Sequence, residues 1–98
     1  MSQSVQLGDL LALGNSSSTQ LSAWLNAVDP PLGARLQQAA AERGESLAQF
    51  VRIAVSDFLA EADEEAWASL LSALRDAFDP GAACLDRVAS FRFGLERA

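Results

Sequence analysis

The sequence predicts a mostly α-helical protein in which two helices, preceded by a short segment that is strand or helix, form a small core, and further helices follow as a C-terminal extension. Three observations point there. Apolar residues recur every three or four positions over residues 32–40, 47–59 and 66–78, the period of an amphipathic helix. The pairs Asp29-Pro30 and Asp79-Pro80 read as helix starts: Asp accepts bonds from exposed amides, and Pro at the first helical position forfeits none. Between the first two periodic stretches stand Gly44 and Ser46, a stop and a start.

Residues 1–18 are expected to be a flexible arm that ends in the polar break Gly14-Asn15-Ser16-Ser17-Ser18. Residues 19–28 fit two readings. Leu21, Trp24, Leu25 and Val28 match a helical stripe, and a short strand fits the same stretch about as well. Asp29-Pro30-Pro31 then opens a helix with Leu32, Leu36, Ala39 and Ala40 on one face, and Gly44 closes it. Ser46 and Gln49 form a capping-box pattern. The helix behind it presents Leu47, Phe50, Val51, Ala54, Val55, Phe58 and Leu59. That face is too wide to be covered from one side. A third helix starts at Asp63 and shows Ala66, Trp67, Leu70, Leu71, Leu74, Ala77 and Phe78. After the Asp79-Pro80-Gly81 break a fourth, shorter helix carries Ala83, Cys84, Val88 and Phe91. The expected division is thus an arm (1–18), a core (19–60) and an acidic helical extension (61–98).

Composition narrows the chemistry. The chain has no His, Tyr or Lys, and all 7 basic residues are Arg. The commonest general base, the commonest metal ligand and the Schiff-base amine are therefore missing together. Cys84 has no His to activate it and reads as a small apolar residue on a helix face. An enzyme is not expected, nor a cofactor or a metal site. No apolar run reaches the roughly eighteen residues of a membrane helix, and the N-terminus lacks a basic signal-peptide region. With its one Cys, the chain is expected in the reducing cytoplasm. The net charge of −6 is uneven: residues 61–80 carry Glu61, Asp63, Glu64, Glu65, Asp76 and Asp79 against Arg75 alone.

The stretch Leu32, Leu36, Ala40, Gly44, Ser46, Phe50, Arg52, Ala54, Val55, Phe58 and Leu59 resembles the ribbon-helix-helix family, the small dimeric repressors and antitoxins of bacteria and phages. The resemblance implies that residues 19–28 are a strand, that two chains pair these strands into a ribbon, and that the ribbon enters the DNA major groove. It places Ala23, Leu25 and Ala27 on the groove side, with Arg43, Glu45, Ser46, Leu47 and Arg52 around the phosphates. It makes Trp24, Val28, Leu36, Phe50, Val51, Ala54, Val55 and Phe58 the core of a homodimer. Ala and Leu cannot read base edges by hydrogen bonds, so DNA binding is expected to be weak and salt-sensitive. A helix-turn-helix is the rival fold. Two functions follow: a DNA-binding transcriptional regulator or antitoxin, or a non-catalytic module that keeps the dimeric core, has lost DNA binding and holds a protein partner through residues 63–78.

Overall fold

Every regular element among the described residues, 12 and 14–97 of the computed structural model, is an α-helix. The expected arm falls mostly on residues outside this range. The helices run in the order α1 (Ser18–Val28), α2 (Pro30–Glu42), α3 (Leu47–Glu61), α4 (Glu64–Arg75) and α5 (Pro80–Arg97).

The strand expected at residues 19–28 is α1, so the ribbon-helix-helix core does not form. The cause is local. Ser17 Oγ accepts the Gln20 amide and the Gln20 side chain accepts the Ser17 amide, each at 3.1 Å. This reciprocal box satisfies two otherwise free donors at the helix start. Leu21 and Leu25, one turn apart, are buried, and helical spacing puts them on one inward face. Trp24 and Val28, expected to point inward from a strand, are half-buried beside that face.

Asp29 ends α1 and begins α2: its amide donates to the Leu25 carbonyl at 2.8 Å, and its Oδ1 accepts the Leu32 amide at 3.2 Å. Helix α2 closes as the sequence implies. Gly44 takes φ +69°, its amide bonds to the Ala41 carbonyl at 3.1 Å, and the Glu45 amide reaches back to the Ala40 carbonyl at 2.9 Å. Only a residue without a β-carbon takes this left-handed turn at no cost. Ser46 Oγ caps the Gln49 amide at 3.1 Å and starts α3, while Asp63 Oδ1 caps the Ala66 amide at 2.9 Å and starts α4.

Helix α3 lies at the centre. Leu47, Phe50, Val51, Ala54, Val55 and Phe58 are buried along it. Its wide apolar face is covered from within the same chain, most extensively by α5. Phe50 meets Phe93 at 5.7 Å between ring centroids, and Phe58 meets Phe91 at 5.2 Å and Trp67 of α4 at 4.8 Å. Leu36, also expected in a dimer seam, is wholly buried in this single-chain core. Burial of α3 therefore does not require a second copy. The fourth helix of the sequence reading is longer than expected: α5 is 18 residues, the longest here. Ala82, Leu85, Val88, Ala89 and Arg92 form one buried stripe along it, so packing against α3 and α4 sustains the helix well past Phe91. Among the described residues no helix is long and apolar enough to cross a membrane.

Candidate functional site

The residues expected to touch DNA do not share one surface. Ala23 and Ala27 are exposed on α1, whereas Leu25 is wholly buried and Leu47 is buried at the start of α3. A groove of about 620 Å³ between α1 and the α2–α3 turn brings Ala23, Glu45, Ser46 and Leu47 together. The Ser46 hydroxyl is engaged in capping α3. Arg52 is exposed on α3 with no ion pair among the described residues.

Arg43 and Glu45 belong instead to a charge cluster that ties the α2–α3 turn to α5. Arg92 donates to both carboxylate oxygens of Glu45 at 2.8 Å and to the Phe50 carbonyl at 3.3 Å. Its side chain is 7% exposed and that of Glu45 14%. The Arg92 guanidinium also lies 4.6 Å from the centroid of the Phe50 ring, a cation–π contact. Glu96, one turn further along α5, accepts from Nε and Nη2 of Arg43 at 3.0 and 2.5 Å and stands 3.3 Å from Arg92 Nε. Arg43 in turn packs over Phe93, 5.3 Å from its centroid, and donates to the Ala39 carbonyl at 2.7 Å.

Each charge is held by its neighbours. The hydrogen bond from Arg92 lowers the pKa of Glu45, and the hydrogen bond from Arg43 lowers that of Glu96. The same bonds raise the two guanidinium groups, Arg92 through Glu45 and Arg43 through Glu96. Carboxylates held below their ordinary range do not exchange protons near neutrality, so the cluster is suited to joining helices and not to acid–base chemistry. Sequence reasoning had no local signal for it, because Arg92 and Glu45 are 47 positions apart.

A second feature stands at the α4–α5 turn. Phe78 is 104% exposed, against 39% for Leu71 and 38% for Leu95, the other exposed large apolar residues among those described. Beside it is a recess of about 220 Å³ whose apolar walls are Val28, Ala77, Ala82 and Ala83. Asp29, Asp79 and Asp86 line the same recess. Among the described residues no group of His, Cys, Asp and Glu is arranged to hold a metal ion. No family model, no curated protein and no solved structure matches this chain.

Proposed function

We propose that this protein is a non-catalytic helical module that holds a protein partner through the turn after its acidic α4. The observation that carries this reading is Phe78, an aromatic side chain fully exposed at the end of a segment rich in acids. Aromatic residues are enriched at protein interfaces, where they bury much area at little entropic cost. Three further points support protein over nucleic acid. The ribbon implied by the family resemblance is absent, Arg43 and Arg92 are committed to Glu96 and Glu45, and the net charge is −6.

Affinity purification of the full chain from its own cells, with nuclease treatment, tests the reading. The expected result is one protein retained near stoichiometry, together with no binding to duplex DNA in fluorescence anisotropy at moderate salt. Retention of DNA alone, abolished by nuclease, would overturn it.

A further inference from the structure

We infer that the Phe78 corner docks a protein partner whose surface offers an apolar pocket rimmed by Arg or Lys. This rests on the reading as an interaction module and specifies the chemistry of what it holds. Phe78 and its recess are a projection and a notch side by side: a ring standing in solvent, then a hollow walled by Val28, Ala77, Ala82 and Ala83. A partner that seats the ring can place one of its own small apolar groups in the hollow.

The backbone on each side of the ring is held. The Ala77 amide bonds to the Leu74 carbonyl at 3.3 Å, Asp79 Oδ1 caps the Ala82 amide at 3.0 Å, and Pro80 fixes the first residue of α5. A backbone fixed before binding loses little freedom on binding.

The ionisable residues that line the recess itself are all acids. Asp29, Asp79 and Asp86 line the recess, and no Arg does; exposed Asp76 precedes Phe78 by two residues. Asp86 is paired with Arg35. Asp29 and Asp79 each give only Oδ1 to a helix cap, to Leu32 and Ala82, which leaves Oδ2 of each to accept from a partner. A second copy of this chain would set these aspartates against their equals, and like charges brought together at an interface repel strongly. A basic rim satisfies them.

The experiment pans a displayed library of random peptides against the full chain, then measures the enriched peptides on wild type, Phe78→Ser and Asp76→Asn by fluorescence anisotropy. Enriched sequences should combine Arg or Lys with bulky apolar residues. Phe78→Ser should weaken them by about thirtyfold, as loss of a buried aromatic anchor does, with its thermal midpoint unchanged because the ring is fully exposed. Asp76→Asn should weaken them several-fold and reduce their salt dependence. Acidic or uncharged consensus sequences, or equal binding to Phe78→Ser, would overturn this surface while leaving the interaction module standing. A dimer in light scattering that Phe78→Ser abolishes would also overturn it, in favour of a second copy. A library that enriches nothing would overturn it too, whereas the module reading falls only if the purification retains no protein.

Discussion

Arg92 on the last helix closes on Glu45 at the α2–α3 turn, with both carboxylate oxygens at 2.8 Å and little of either side chain in water. The pair spans the helical layer, and Phe50 supplies one wall of its site through its ring and its carbonyl. Glu96 and Arg43 extend it outward to a half-exposed edge. The result is a graded junction, dry at Arg92 and wet at Glu96.

Removing one member should cost more than removing both. Arg92→Met strands a largely buried Glu45 carboxylate, and breaking a buried pair this way costs about 3 kcal/mol or more. The double variant Arg92→Met with Glu45→Leu leaves no stranded charge and should recover a clear part of that loss. Chemical denaturation of the wild type and the variants, Glu45→Leu included, checks this. A double variant less stable than Arg92→Met alone would show that the carboxylate is not the source of the cost.

The same cluster sets the acid limb of stability. Glu45 and Glu96 have folded pKa values below their ordinary value, through hydrogen bonds from Arg92 and Arg43. The unfolded chain therefore binds protons first as pH falls. Their contribution is fully present above the ordinary glutamate value of about 4.3 and is lost as pH drops through the folded values beneath it. Thermal midpoints should be level near neutrality and fall below about pH 4. In the double variant Arg92→Met with Glu45→Leu this fall should be shallower, which circular dichroism melts at stepped pH would show.

Two turns should respond to substitution for different reasons. Ser17→Ala removes the oxygen that caps α1 and should cost about 1 kcal/mol. Gly44→Val forces a branched side chain to φ +69° and should cost about 1–2 kcal/mol from strain, although nothing lies within 4 Å of an added β-carbon. Urea titrations separate them from a control such as Gln49→Ala. A Ser17→Ala protein as stable as wild type would mean that α1 is held by Leu21 and Leu25 alone.

Because α5 covers α3, the unfolding midpoint should not depend on protein concentration, and light scattering should report one chain. Ending the chain after Glu61 would expose Phe50 and Phe58, and such a fragment should lose cooperative unfolding. A fragment of residues 1–61 that unfolds cooperatively only as a dimer would restore the two-chain core that the sequence suggested.

Much of this fold was written locally. Asp29-Pro30, Gly44, Ser46, Asp63 and Asp79-Pro80 mark helix ends by the bonds their own atoms make, and each is where the structure turns. Leu36, Phe50, Val51, Ala54, Val55 and Phe58 were legible as core from their spacing. The first helix is ambiguous in the sequence although Ser17 and Gln20 carry a capping-box pattern: the serine run also reads as a polar break, and the family resemblance favours a strand over the helical stripe. The breadth of the apolar face on α3 was visible, but not whether a second chain or the C-terminal helix covered it. The Arg92–Glu45 pair was beyond local reading, since no periodicity links positions 47 apart. The family resemblance places Glu45 beside phosphates, whereas its two bonds from Arg92 make it a structural residue whose loss should destabilise the fold.

The dependence of α3 on α5 has a cost during synthesis. When Glu61 has been added to the nascent chain, the sequence that will shield Phe50 and Phe58 has yet to be made, and Arg97 is 36 residues further on. At ribosomal rates of about 5–20 residues per second this interval is roughly 2–7 s. For that time the side of α3 that α5 will cover is open to chaperones and to other nascent chains, so the yield of soluble protein in the cell should depend on chaperone supply more steeply than the stability of the finished fold would suggest.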